Sequence, residues 1–171
     1  MRRPELLRFL TIAVLAAGAL AAQTKVGVIN MQRAVLETAE IKKASADLEA
    51  KYKPRQEEMQ KLQKDLQAIQ QQLQAGADKL TPEAQADLTR QGQFKQRQLQ
   101  RLTEDLQADV DRERNEILSR SGGKMAAVVQ KLAEEKGLDV VIDISNTVFF
   151  KPALDVTAEA IAAFDKAHPV Q

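Results

Sequence analysis

Residues 59–88 read MQKLQKDLQAIQQQLQAGADKLTPEAQADL, and this stretch decides the fold. Apolar residues recur at alternating steps of three and four on both sides of a break at residues 75–78, which is the spacing of a coiled-coil seam. After the break, Thr81 suits a helix N-cap, Pro82 the first helical position and Glu83 the first turn. The stretch therefore predicts two long helices joined by a short turn.

The seam continues outward to Ile41 on one side and to Ile117 on the other. If the helices fold back about a turn at residues 75–81, Ile69 faces Leu88 and the same register holds down to the base. This agreement favours an antiparallel hairpin over two extended helices that pair between molecules, and predicts an arm of roughly 50–60 Å. The predicted seam comprises Leu48, Tyr52, Met59, Leu62, Leu66, Ile69, Leu73, Leu88, Leu99, Leu102, Leu106 and Val110.

Proline and glycine residues mark places where the arm is expected to bend. Pro54 removes a backbone donor within the first helix and predicts a kink at residues 50–54. Gly92 loosens the second helix near the tip, and Gly122 with Gly123 forms either a hinge or a close-packing site at its base. These four residues are the hinge candidates.

Short β-branched runs lie outside the arm. Residues 25–30, 138–144 and 147–151 predict three strands, and a last helix is expected to run through Phe164. Three short strands and one helix bury little apolar surface, and the chain has no cysteine to form a disulfide. The sheet is therefore expected to gain stability by oligomerising.

These elements divide the chain into three parts. Residues 1–21 are set aside, residues 22–40 and 118–171 form a small α/β body, and residues 41–117 form the helical hairpin arm. The predicted fold class is mainly α, with a long antiparallel hairpin projecting from a small sheet that trimerises.

Residues 1–21 have the pattern of a secretory signal peptide. Arg2, Arg3 and Arg8 precede an apolar run of about 14 residues, which is shorter than the ~20 that a membrane-spanning helix needs. Cleavage is expected after Ala21, and a membrane anchor is the alternative. The remaining chain would hold 22 basic and 23 acidic residues, a net charge of −1. Such a balance excludes nucleic acid as the main partner, because phosphate binding needs a basic surface.

The sequence contains little that suggests catalysis. His168 is the only histidine and is expected to lie in a frayed tail. Asp139 and Asp143 share one face of a strand and could be acid–base partners or metal ligands, but they are expected to cap strand ends. No nucleophile elbow, phosphate loop or metal-ligand cluster is recognisable. We expect neither enzyme activity nor a cofactor or metal.

The order of strand, long hairpin, two strands and helix resembles that of the Skp/OmpH-like periplasmic chaperones of outer-membrane proteins. The matching pieces are residues 25–31, 52–55, 138–143 and 155–157. The resemblance implies a trimer in which three arms surround a cavity below a central β-body. It also implies ATP-independent holding of unfolded outer-membrane proteins, with some members also associating with lipopolysaccharide.

The distal arm is the expected client-binding region. Residues 60–101 carry a net charge of +3, which favours acidic clients or weak contact with anionic lipid head groups, although a solvated helix surface would have the same composition. The client-contact candidates are Lys79, Arg90, Phe94, Lys95 and Arg97. An adaptor protein that docks its hairpin onto an envelope complex is the alternative function.

Overall fold

The computed structural model describes residues 24–76 and 79–170, so the predicted signal peptide lies outside the described residues. In the described part the order is β1 Val26–Ile29, α1 Met31–Leu36, α2 Ala39–Ala75, α3 Pro82–Lys136, β2 Val140–Asp143 and α4 Thr157–Ala167. Two single-turn 3-10 segments, Ile144–Asn146 and Pro152–Leu154, join β2 to α4. The predicted mainly α fold, in which a long helical hairpin projects from a small body with one short sheet, is confirmed, and trimerisation stays a prediction.

Polar side chains cap the starts of three helices, and one of them is the predicted cap Thr81. Asn30, Thr38 and Thr81 each accept a hydrogen bond on the side-chain oxygen from the backbone N–H three residues further on. Gly137 ends α3 in the left-handed conformation with φ 62°, which side chains other than glycine rarely adopt. Local chemistry therefore sets the boundaries of both arm helices.

The sheet has two parallel strands among the described residues. β1 pairs with β2, and Val26 lies opposite Val140. The whole hairpin is thus the crossover connection between two neighbouring strands. A Cβ atom on Gly27 would lie 2.8 Å from Leu138 Cδ1, so a larger residue at this position would require the Leu138 side chain to move.

The predicted third strand at residues 147–151 is wrong. This segment has no ladder partner among the described residues, and it leaves Val148 and Phe149 106% and 81% exposed. The other edge of β1 is already occupied, because Val156 donates its N–H to the Val28 carbonyl at 2.9 Å. Residues 147–151 do not pair with the outer edge of β2 either, so this strand-forming segment has no strand partner within the described part of its own chain.

The core lies where the arm enters the body. Phe164 and Met125 are fully buried, and α1, the bases of α2 and α3, and α4 pack around them. Burial of each such side chain stabilises the body by about 1.5–3 kcal/mol. The core comprises Ile29, Ala34, Val35, Ile41, Met125, Val129, Val156, Ala160 and Phe164.

The C-terminal histidine is packed instead of frayed, which corrects the prediction. Its ring lies against Phe164, with the ring centroids 4.8 Å apart. The backbone N–H of His168 also donates to the Phe164 carbonyl at 2.8 Å. The tail therefore covers one end of the core.

The two aspartates of the β2 segment cap backbone groups, as expected. The Asp139 carboxylate accepts from Lys25 N at 2.7 Å, and Asp143 accepts from Met31 N at 3.0 Å and from Ser145 N at 2.8 Å. The bonds from Ser145 and then Met31 lower the pKa of Asp143. Its carboxylate fixes the start of α1 against the end of β2.

We expect Asp143→Ala to destabilise the body by about 1 kcal/mol at pH 7, because two backbone donors lose their acceptor. The folded-state pKa of Asp143 lies below its ordinary value, so its stabilisation is present above that value and is lost as the pH falls through the folded-state pKa. The melting temperatures of wild type and variant should therefore converge below about pH 4. Circular dichroism melts from pH 7 to pH 2.5 measure this, and a constant difference over that range would contradict it.

Candidate functional site

The arm is a two-helix layer whose seam is only partly covered. Tyr52, Leu62, Ile69 and Leu106 are buried, and the other eight predicted seam residues are half-buried. Two helices cover each other on one face only, so the edges of the apolar seam stay within reach of solvent. The arm therefore offers long grooves with apolar floors on its two sides.

A polar cluster ties the two helices together at mid-arm. Tyr52 donates its hydroxyl to Glu113 Oε1 at 2.9 Å, and Arg55 donates to Asp109 Oδ2 at 2.7 Å. Bonds from Lys51 and then Tyr52 lower the pKa of Glu113. Arg55 lies midway between the seam residues Leu48 and Leu62, seven residues from each, and its charge is paired across the hairpin.

A second polar contact joins the helices where the arm meets the body. The Glu40 carboxylate accepts from the fully buried Ser121 hydroxyl at 2.8 Å and from Lys124 Nζ at 2.7 Å. Burial raises the pKa of Glu40, but the bonds from Lys124 and Ser121 outweigh it and lower the pKa overall. The base of the arm is held by the core and by this contact.

The hinge candidates occupy different surroundings. α2 runs through Pro54 without interruption, beside the cross-hairpin bonds of Tyr52 and Arg55. A Cβ atom on Gly92 would lie 3.4 Å from Ile69 Cγ2, whereas one on Gly122 or Gly123 would meet nothing within 4 Å. The first distance is an ordinary van der Waals contact, so close packing within the described part of this chain requires glycine at none of these three positions.

Three client-contact candidates are exposed to solvent. Phe94 is 62% exposed, and Lys79 and Arg97 are exposed as well. Phe94 and Arg97 line one groove together with Glu58, Arg101 and other charged or polar residues. We call this the charged groove.

The other two candidates bond within the arm. Arg90 pairs with Asp87 one turn away on the same helix. Lys95 donates to Asp65 Oδ2 at 2.7 Å across the hairpin, and this bond lowers the pKa of Asp65. Lys95 therefore links α2 to α3 and is half-buried.

The arm has a second groove that the sequence analysis did not predict. Its floor is formed by the seam and its walls by glutamine side chains from both helices. The heptad spacing of those glutamines is a signal that could have revealed it. We call it the amide groove and define it by Leu66, Leu73 and Leu88 in the floor and Gln70, Gln93 and Gln96 in the walls.

The body has an exposed apolar surface around β2. Val140 and Ile142 lie on the same face of the strand and are 41% and 37% exposed. Val148 and Phe149, which follow in the chain, are almost fully exposed. β2 pairs with β1 alone among the described residues, so its other edge also offers unpaired backbone groups.

The described residues contain no group of three or more His, Cys, Asp and Glu side chains arranged to hold a metal ion. In the same residues, no helix combines the length and the apolar composition needed to cross a membrane.

Comparison with known proteins relates this chain to one family. The family model described as outer membrane protein (OmpH-like) matches residues 25–164. A Skp-like protein of Pseudomonas aeruginosa is 28% identical over 166 residues, which cover 94% of this chain and 96% of that protein. The crystal structure of a Caulobacter crescentus protein described as an OmpH-like outer membrane chaperone superposes with a TM-score of 0.71 at 21% identity, covering 86% of this chain and 87% of that one.

The family match spans β1, the entire hairpin, β2 and the first eight residues of α4. The solved structure shares the fold over 86% of this chain. This chain belongs to the OmpH-like family of outer membrane proteins.

Proposed function

We propose that this chain is a periplasmic holdase, which binds unfolded outer-membrane proteins without ATP and prevents their aggregation. Its arm, residues 41–117, holds the client, and its body, residues 22–40 and 118–171, forms the assembly. Residues 1–21 act as a signal peptide that is cleaved after about Ala21. The family membership and the described P. aeruginosa and C. crescentus relatives support this assignment.

The observation that carries the proposal is the projecting arm with two partly apolar grooves. Unfolded outer-membrane proteins expose apolar side chains and unpaired backbone groups, which would otherwise aggregate. A thin arm offers many weak contacts to such a chain and retains it through high effective concentration. Each contact remains weak enough for the client to leave without an energy source.

Assembly into a trimer is the second part of the proposal. The open edge of β2 and the exposed Val140, Ile142, Val148 and Phe149 support an interface between copies of the chain. Pairing of β2 edges or of residues 147–151 with another copy would satisfy backbone groups that are open in one chain. Three arms would then enclose a cavity for the client.

The charge of the arm sets a further expectation. Basic residues outnumber acidic ones between residues 60 and 101 by three, and Lys79 and Arg97 are exposed. Weak contact with anionic lipid head groups is part of the proposal, and nucleic acid is not a partner.

The test is dilution of a urea-unfolded outer-membrane barrel protein into buffer with residues 22–171 of this chain. We expect the barrel protein to stay soluble in a complex of defined size, as measured by turbidity and by size-exclusion chromatography with light scattering. A barrel protein that aggregates as fast as in buffer alone would contradict the holdase. That result, together with stoichiometric binding to one folded envelope complex, would favour the adaptor alternative.

A further inference from the structure

An uncharged stripe runs along the distal half of α2. Its positions follow one another at steps of four and three, which places them on one line beside the seam. All six are glutamines, and all are exposed. They are Gln56, Gln60, Gln63, Gln67, Gln70 and Gln74.

A matching stripe runs along α3 with the same spacing. Its members are glutamine or threonine, and all are exposed. They are Thr89, Gln93, Gln96, Gln100, Thr103 and Gln107. None of these twelve positions is charged, although charged residues make up 29% of the chain, so the two stripes differ from the rest of the arm surface.

The two stripes lie on the same side of the hairpin. Gln70 from α2 and Gln93 and Gln96 from α3 line the same groove, the amide groove, with Thr89 beside them. Gly92 leaves the centre of this groove open, because it has no side chain to cover Ile69. Arg97 reaches its rim.

The opposite side of the hairpin has different chemistry. The charged groove holds Glu58, Phe94, Arg97, Arg101 and Asp105. Gln72, Gln91 and Gln98 belong to this side by their heptad positions, and Gln98 lines the charged groove. The arm therefore presents an amide side and a charged side.

Glutamine amides match the backbone of an unfolded chain. Each offers a donor and an acceptor, the same pair as a peptide group. Of the ten glutamines in the stripes, only Gln100 and Gln107 donate to a side chain in the described residues, namely to Glu104 and Asp111 one turn away. The wall residues Gln70, Gln93 and Gln96 remain available to a ligand.

We propose that the amide groove binds extended segments of unfolded clients. The glutamines hydrogen-bond the client backbone, and alternate client side chains pack on Leu66, Leu73 and Leu88 in the floor. The ligand is therefore an extended polypeptide with alternating apolar residues, which is the pattern of a transmembrane β-strand. This inference rests on the proposed holdase function and names the contact that recognises the client.

Backbone recognition through neutral amides predicts weak dependence on salt. Raising NaCl from 50 to 500 mM shortens the screening length about threefold and weakens contacts between exposed charges. Hydrogen bonds and apolar contacts are not screened in this way. Affinity for a client with little net charge should thus change by less than about threefold.

The decisive comparison is between two triple variants of the same composition. Gln70→Ala with Gln93→Ala and Gln96→Ala strips the amide groove, and Gln71→Ala with Gln72→Ala and Gln91→Ala removes three exposed glutamines that line neither groove. Alanine is the best helix former, so both should keep the arm folded, which circular dichroism checks. We expect the first set to raise the Kd for a urea-unfolded barrel protein about tenfold or more and the second to change it less than about twofold.

The outcomes separate this inference from the function on which it rests. If wild type binds the client and the two triple variants have the same affinity as each other, the amide groove is not the recognition site. The proposed holdase function would then still stand. Wild type that binds no client would overturn both. Affinity that collapses at 500 mM NaCl for a client with little net charge would also overturn backbone recognition.

Discussion

Removal of residues 60–73 together with 86–99 should abolish the holding of large clients and leave the body assembled. Each deletion removes 14 residues, or two heptads, so the remaining seam residues keep their heptad spacing on both helices. The turn between the helices is unchanged. The arm loses roughly 20 Å of its length at 1.5 Å per residue. It also loses the whole lining of the amide groove, and Phe94, Arg97 and Gln98 of the charged groove. Fewer contacts per client then lower the effective concentration that holds it.

A small and a large barrel protein, such as an eight-stranded and a sixteen-stranded one, provide the sharpest readout. The shortened arms should leave at least partial suppression of aggregation for the small client and almost none for the large one, measured by turbidity after dilution from urea. Light scattering should show the same number of chains per assembly as in wild type. Equal protection of the large client by wild type and shortened chain would refute client binding on the arm.

Elements governed by local chemistry could be predicted from the sequence. Thr38 and Thr81 cap the two arm helices, and Gly137 ends the second one, because each acts on backbone groups within one turn. The hairpin followed from the seam and the turn, since a heptad pattern restricts which faces can meet. Such signals need no knowledge of distant residues.

Elements that need a distant partner could not be predicted in the same way. Residues 147–151 have a strand-forming sequence, but a strand also requires a partner. Val156 occupies the free side of β1, and the segment does not pair with the outer edge of β2. His168 was expected to fray because the sequence does not show that Phe164 lies beneath it. In both cases tertiary contacts overrode local composition.

The candidate site likewise has features that the sequence predicts and features that depend on contacts between the two helices. Phe94 and Arg97, two predicted client contacts, are exposed to solvent. Lys95, another predicted contact, instead bonds across the hairpin to Asp65, and this pairing becomes apparent only from the register of the two helices. Arg55 interrupts an apolar seam in the sequence, but Asp109 on α3 pairs with it. The glutamine stripes are visible in the sequence, and their common side emerges only when the helices are placed together.

Replacement of Val148 and Phe149 by aspartate should convert the assembled protein into monomers. Both side chains are almost fully exposed in the single chain, which is costly unless another copy covers them. Loss of a buried phenylalanine and a buried valine removes about 3 kcal/mol or more per copy, or about two orders of magnitude in the association constant. Two new carboxylates would also have to enter an apolar interface without partners, which adds to the loss.

The matched control exchanges the same residue types elsewhere: Phe94→Asp with Val170→Asp. Both are exposed, Phe94 on the arm and Val170 in the C-terminal segment, so the change in composition and charge is identical. Sedimentation velocity should give the mass of one chain for Val148→Asp with Phe149→Asp, and of three chains for wild type and control. A wild-type monomer, or an unchanged assembly in the first variant, would show that the exposed surface around β2 serves another purpose. Because the arms act together only when one body joins them, the monomeric variant should also lose most of its protection of large clients, even though each arm is intact.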